Sequence, residues 1–274
     1  MSRLSKLLME SRPLVMGVLN VTPDSFSDGN QFLSLAASSE HAQRMASAGA
    51  DIIDVGGEST RPGAKNITID EELERVIPVI SRIRSASDVC ISVDTSSPEV
   101  MSEAAIQGAD LINDVRALRR DKALDAAKKT GLPICLMHMK GNPETMQMNP
   151  RYEDLFNEVN EFFRERITIC EAAGISRDRL LLDPGFGFGK MPEHNLQLVN
   201  RLEMFRCHGL PLLVGLSRKS TLSRITDNLL IASVVGAIAS LQHGARIVRV
   251  HDVAETVSAI RVSEAIRKES LEAL

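Results

Sequence analysis

Eight short runs of β-branched and aliphatic residues recur along the chain, at 14–20, 51–55, 89–94, 110–114, 133–138, 180–183, 211–217 and 246–251, each followed by a longer stretch. Strand-length apolar runs alternating with amphipathic segments are the pattern of βα units that build a parallel sheet. The spacing predicts helices over 40–48, 71–83, 98–107, 121–129, 154–173, 195–206, 229–243 and 254–268. Gly49, Gly108, Gly131, Gly174, Gly209 and Gly244 stand where these helices should end, as left-handed C-caps. Asp70, ahead of Glu71 and Glu72, reads as an N-cap followed by acidic residues in the first turn. Eight near-uniform units in 274 residues, with no linker-like shift in composition, predict an α/β fold: a single-domain (β/α)8 TIM barrel spanning 1–274. A doubly wound open sheet is the alternative.

Composition narrows the function. Lys+Arg 32 against Asp+Glu 36 leaves a formal net charge of −4, and with no Trp and one Tyr the chain has neither the basic surface nor the stacking residues of a nucleic-acid binder. Residues 1–13 carry charges throughout, with no apolar core of a secretory signal. The most apolar stretch, 229–241, is shorter than the ~20 residues of a membrane span and is read as a buried helix. Being apolar around much of its circumference, it suits a dimer interface or a deeply buried barrel helix equally. Cys90, Cys135, Cys170 and Cys207 lie far apart, with no C-x-x-C pair, which points to reduced thiols in a cytoplasmic protein.

The functional signal lies at the strand ends. Asn20, Asp54, Asp94, Asn113, His138, Asp183, Ser217 with Lys219, and Arg249 with His251 close the eight runs, one set per unit. In a barrel all strands end on one face, so these side chains would ring one pocket. Taken singly, a strand-end Asp is more often a cap for the next helix, the reading given to Asp114 or Ser96. Three acids in one pocket need donors, and Lys219, Arg218, Arg249, Arg61 and His251 are available, which suggests an anionic substrate group; Arg218 and Arg249 fit surface ion pairs equally well. The segment from Asp183 to Lys190, DPGFGFGK, has neither dinucleotide-fold nor P-loop spacing. Its glycines allow sharp turning beside a flat ligand, with Phe186 or Phe188 either stacking on it or simply core. The connections over 21–39 and 56–70 exceed ordinary βα loops and are read as lids.

These residues resemble the dihydropteroate synthase family. The matching segments are GVLNVTPDSFSD from Gly17, DVGGESTRPG from Asp54, SVDT from Ser92, IND from Ile112, HMKGNP from His138, DPGFGFGK from Asp183, GLSRKS from Gly215 and RVHD from Arg249. The resemblance implies a barrel that joins 6-hydroxymethyl-7,8-dihydropterin pyrophosphate to 4-aminobenzoate with Mg²⁺, C–O cleavage running ahead of amine attack. It implies a catalytic set of Asp94, Lys219, Arg249, His251 and Arg61. The pterin would be read by Asp94, Asn113, Asp183, Lys219 and Arg249, with Val115, Met137 and Gly215 lining the pocket. Aminobenzoate would fall to Thr60, Arg61, Pro62, Phe188, Ser217, Lys219 and Ser220, with backbone N–H groups after Ser220 helping to hold its carboxylate. Pyrophosphate would fall to Asn20, Arg249 and His251, with Asn20 as the Mg²⁺ ligand. Sulfonamides as aminobenzoate mimics and a homodimer are further implications. Asn30, Ser97 and Thr221 depart from the commonest family pattern; Asn30 is harmless by its tolerance of left-handed geometry, whereas Thr221 bears on the wall of the aminobenzoate pocket. Three other readings compete: a pterin-binding methyltransferase domain on the same barrel, a Schiff-base aldolase using Lys219, and a binding module without turnover.

Overall fold

In a computed structural model, residues 2–21, 31–58, 67–141, 146 and 150–270 are described, with side chains for all but 31–34. Eight parallel strands are arranged in the order β6-β5-β4-β3-β2-β1-β8-β7, and a parallel bridge between Leu182 and Leu212 joins the two ends. The result is the expected (β/α)8 barrel, with strands β1 (Leu14–Asn20), β2 (Ile52–Gly56), β3 (Cys90–Asp94), β4 (Leu111–Asp114), β5 (Ile134–Met137), β6 (Leu180–Asp183), β7 (Leu213–Val214) and β8 (Ile247–Val250). The helices are α1 (Arg3–Met9), α2 (Gln31–Ser47), α3 (Ile69–Ala86), α4 (Pro98–Ile106), α5 (Ala123–Thr130), α6 (Leu155–Ala172), α7 (Pro192–Asn200), α8 (Ser220–Ser223), α9 (Leu229–Gln242) and α10 (Val253–Lys268).

Period-2 alternation divides each strand between two cores. Ile53, Val55, Ile91 and Val93 face the helices and join one large apolar cluster. Leu14, Met16, Ile52, Cys90, Leu111, Cys135, Leu181, Leu213 and Ile247 form a second cluster, completed by fully buried Leu4 of α1. Since these residues lie at the N-terminal halves of the strands, α1 plugs the end of the barrel opposite the strand tips. Arg246 fastens that plug by donating to the carbonyls of Leu7 and Leu8 at 3.1 and 3.2 Å.

Several expectations need correction. The N-cap of α3 is Thr68, not Asp70: its hydroxyl accepts from the Glu71 N–H at 3.2 Å while the Glu71 carboxylate accepts from the Thr68 N–H at 2.8 Å. This reciprocal pair satisfies two end groups, which Asp70, two residues inside the helix, could not do. Helix α2 begins at Gln31, so 31–39 are helix rather than lid, and 22–30 and 59–66 lie outside the described residues. The helix expected over 195–206 is two pieces, α7 and a 3₁₀ turn over Leu202–His208. Helix α9 is not wholly buried: it turns Ser233, Ala237 and Ser240 inward and leaves Ile231 and Val235 55% and 61% exposed.

Candidate active site

Register places the polar strand ends side by side. Asn20 pairs with Gly56, Gly56 with Asp94, and Asp94 with Asn113, so one layer at the mouth of the barrel runs across four strands. Met137 and Asp183 pair on the far side. Arg249 starts lower, in register with Met16, and its long side chain climbs the barrel interior.

There it meets two carboxylates. Arg249 Nε donates to Asp54 Oδ2 at 2.6 Å and Nη2 to Asp94 Oδ2 at 2.9 Å. Asn113 Nδ2 donates to the same Asp54 oxygen at 3.2 Å. Asp54 is completely buried, and its other oxygen, Oδ1, has no hydrogen-bond partner. Burial, then the neighbouring charge of Asp54, pushes the Asp94 carboxyl up to about 7, with Arg249 opposing. Burial also raises Asp183, against the pull of Lys219. Lys219 is pushed down to about 8 by burial, with Asp183 resisting the change. The pocket thus holds three acids and two cations, with Asp94 and Lys219 drawn toward their neutral forms.

The turn after β6 supplies the opposite wall. Asp183 Oδ1 accepts from the Gly185 N–H at 2.7 Å. Gly185 has φ +72°, and a Cβ there would lie 1.8 Å from the His138 carbonyl oxygen, so only glycine fits. Lys219 Nζ donates to the Phe186 carbonyl and stands 4.4 Å from the centre of the Phe188 ring. Phe188 packs on a cluster of Val115, Met137, Met139 and Met146, an apolar wall for a flat ligand. Phe186 itself is core, 2% exposed. Inside the turn sits Lys190, whose ammonium meets three acceptors: the carbonyls of Gly185 and Phe188 at 3.0 and 3.1 Å and His138 Nδ1 at 2.8 Å.

Of the residues expected from sequence, Asp94, Asn113, Asp183, Lys219, Arg249, Val115, Met137 and Phe188 come together here. Gly215 lies under Arg249, where a Cβ would be 3.6 Å from that side chain. His251 Nδ1 and the Ser217 hydroxyl are 3.0 Å apart. Ser220 is exposed at the start of α8. Thr60, Arg61 and Pro62 lie outside the described residues. Arg218 is not part of the pocket; it is exposed and paired with Asp252. Asp114 and Ser96 are not the helix caps expected: they bond to each other, and Asp114 accepts from the N–H groups of Arg116 and Leu118 at 2.8 and 2.7 Å, shaping the turn after β4, while α4 and α5 begin after Ser97 and Lys122. Sequence reasoning gave no task to Lys190 and did not see that Asp54 would hold Arg249; the charge of Lys190 at the end of a glycine-rich turn was the available signal.

The donor set also bears on the metal. Among the described residues no group of three or more His, Cys, Asp or Glu could hold one. Asn20 stands exposed at the tip of β1 and offers a single amide oxygen. That fits Mg²⁺, which keeps several waters and is commonly held through substrate phosphate oxygens.

Known proteins resemble this chain in sequence and in fold. A family model described as pterin binding enzyme matches residues 16–251. The dihydropteroate synthase of Escherichia coli (strain K12) is 56% identical over 259 residues, covering 93% of this chain and 92% of that protein. The crystal structure of the Yersinia pestis dihydropteroate synthase with a sulfonamide drug complex is 53% identical with a TM-score of 0.90, covering 94% of this chain and 95% of that one. The Xanthomonas albilineans dihydropteroate synthase in complex with 7,8-dihydropteroate is 44% identical with a TM-score of 0.85, covering 94% of each chain. No described helix is long and apolar enough to cross a membrane.

Proposed function

The chain belongs to the pterin-binding enzymes and, within them, to the dihydropteroate synthases, and from that premise we propose how its own residues carry the reaction. The enzyme joins 6-hydroxymethyl-7,8-dihydropterin pyrophosphate to 4-aminobenzoate, giving 7,8-dihydropteroate and pyrophosphate in folate biosynthesis.

Asp94, Asn113 and Asp183 read the pterin. Its 2-amino group and ring N–H groups supply further donors to these carboxylates, beyond Arg249 on Asp94 and Gly185 on Asp183, and charge-assisted bonds of this kind are about twice as strong as neutral ones. Lys219 donates to a pterin acceptor, Arg249 lies over the ring face, and Val115, Met137 and Gly215 line the rest. Asn20, Arg249 and His251 hold the pyrophosphate. Mg²⁺, held by Asn20 and phosphate oxygens, would neutralise charge on the leaving group when bound. The C–O bond at the pterin methylene breaks first and its electron pair leaves with pyrophosphate. Asp94 stabilises the positive charge that develops on the methylene and conjugated ring. The neutral arylamine then forms the C–N bond and releases its proton to solvent or pyrophosphate, so no covalent enzyme adduct and no strong base are required. Phe188, Lys219, Ser217 and Ser220, with Thr60, Arg61 and Pro62, hold aminobenzoate, and sulfonamides compete for the same place.

The observation that carries this reading is the clamp of Arg249 on Asp54 and Asp94, with Lys219 among the same charges. The test is pyrophosphate release from the pterin substrate with and without 4-aminobenzoate, over a Mg²⁺ titration, in wild type and Asn20→Ala. The reading expects Mg²⁺-dependent release, dihydropteroate as the second product, inhibition by a sulfonamide and a raised Mg²⁺ requirement in the variant. Aminobenzoate left unconsumed would overturn it.

Two further parts of the proposal concern setting. A homodimer through α9 and α10 would cover Ile231, Val235, Val262 and Ile266, which are 55 to 72% exposed on these neighbouring helices. Sedimentation of Val235→Asp as a monomer, against a dimeric wild type, checks it. Buried free Cys90, Cys135 and Cys170 favour work in the reducing cytoplasm.

A further inference from the structure

Asn195 lies outside the ring of strand-end residues, on the first turn of α7, and is 1% exposed. Its amide is used at both ends. Oδ1 accepts from the Gly187 N–H at 2.8 Å, and Nδ2 donates to Thr221 Oγ1 at 3.0 Å. Gly187 sits between Phe186 and Phe188 in the turn after β6; Thr221 follows Lys219 and Ser220 at the start of α8 and is 4% exposed. One buried amide therefore spans the two segments that carry Phe188 and Lys219–Ser220.

The spacing it spans is tight. A Cβ on Gly187, which has φ +82°, would lie 3.1 Å from Lys219 Cδ. Lys219 crosses the same gap to donate to the Phe186 carbonyl. That bond belongs to a side chain with work to do on substrate; the Asn195 bridge has no such second task. Thr221 also anchors the bridge. The Gly187 N–H can only donate, so Oδ1 must face it, and Nδ2 is then anchored by the Thr221 hydroxyl oxygen, an arrangement that satisfies both amide ends.

We infer that Asn195, anchored by Thr221, is a positioning residue that sets the distance between the Phe188 ring and the Lys219–Ser220 segment, and so the fit of the aminobenzoate ring. The inference rests on the assignment of that wall to aminobenzoate. The pterin-reading groups Asp94, Asn113, Asp183 and Arg249 share no hydrogen bond with this bridge, and Lys219, which serves both substrates, keeps its own bond to the Phe186 carbonyl, so aminobenzoate should respond to its loss more than the pterin does.

Thr221→Val is the discriminating variant, because it keeps the side-chain shape and removes one acceptor. The expected result is a rise of about tenfold in the KM for 4-aminobenzoate, the size set by one buried hydrogen bond. A matching loss of sulfonamide affinity should accompany it, with the Kd of the pterin pyrophosphate within about twofold of wild type. Asn195→Leu should show the same split more strongly, and Thr221→Ser should restore wild-type values. An unchanged KM, a proportionate loss of both affinities, or a lowered melting temperature with both constants unmoved would each overturn the inference. Wild-type enzyme that does not consume 4-aminobenzoate would instead refute the functional reading beneath it.

Discussion

Replacing Asp54 with Asn tests the electrostatics of the pocket at its most constrained point. Asp54 and Asp94 share the guanidinium of Arg249 at 2.6 and 2.9 Å. The proximity of Asp54 is the second cause, after burial, of the rise of the Asp94 carboxyl to about 7. For carboxylates held by one guanidinium a separation on the order of 5 Å and an effective dielectric of about 20 give a repulsion of about 3 kcal/mol, or about 2 pH units. Asn keeps an acceptor for Arg249 Nε while removing that repulsion, and it leaves Arg249 with Asp94 as its one charged partner in the clamp. Both changes favour ionised Asp94. Its midpoint should therefore fall from about 7 toward roughly 5 in Asp54→Asn.

The direct assay is a ¹³C titration of aspartate carboxyl groups in wild type and variant, with pterin affinity followed over the same pH range. In wild type, affinity should weaken as pH falls through about 7, because protonated Asp94 accepts fewer donors. In the variant the curve should stay flat to about pH 6, at a lower plateau, because Arg249 exchanges a charged acceptor for a neutral one at a cost of about 1–2 kcal/mol. An Asp94 midpoint unchanged or raised in Asp54→Asn would refute the argument, since it would mean that burial alone holds the carboxyl up.

Lys190→Met keeps the buried volume and leaves the Gly185 and Phe188 carbonyls and His138 Nδ1 without their donor; urea unfolding should show a loss of about 2–5 kcal/mol, and an unchanged midpoint would deny the ammonium its structural part. The fold raises Asp94 from 3.8 to about 7, so its contribution is present below pH 4 and is lost as pH rises through about 7. Asp94→Asn should therefore gain melting temperature relative to wild type between pH 4.5 and 7.5, and a constant difference would contradict the shift. Leu4→Ala empties the plug at the closed end and should cost about 2–4 kcal/mol in denaturant, with the KM of both substrates unmoved; altered KM values would show that the two ends of the barrel are not independent.

The barrel and most of its mouth were legible because both depend on local periodicity. A strand that alternates inward and outward, and ends in a polar residue, states where that residue points once the strands are parallel. Asp94 and Asp183 follow this rule, and Asn113 and Arg249, one position before their strand ends, reach the same mouth. Exact helix starts did not, because caps are chosen by competition: Thr68 with Glu71 satisfies two N–H groups, whereas Asp70 was only the nearer acid. Helix α9 departs from the buried-helix reading for a different reason. Hydropathy counts apolar residues without saying which face they occupy, and here small residues pack inward while Ile231 and Val235 face outward. Contacts made through a turn were the least legible. Lys190 reaches His138 across 52 positions through a turn in which Gly185, Gly187 and Gly189 adopt positive φ, and Asn195 reaches Thr221 across 26 positions of separate elements.

The two ends of the barrel explain one another. At the mouth, Asp94 is drawn up to about 7 and Lys219 down to about 8, so near neutral pH each is close to losing its charge. Such a pocket is costly to maintain and is stabilised by a ligand that brings N–H donors to the carboxylates and an acceptor to the ammonium. A pterin has both. The cost must be offset where no chemistry is required, and the opposite end does this: Leu4 joins an interior apolar layer contributed by all eight strands, secured by Arg246 on the carbonyls of α1. Apolar packing below allows unsatisfied polarity above, as in Asp54 Oδ1, buried without a partner. A site preorganised in this way spends little on rearrangement when substrate arrives, which is the condition under which fixed charges lower a barrier most effectively.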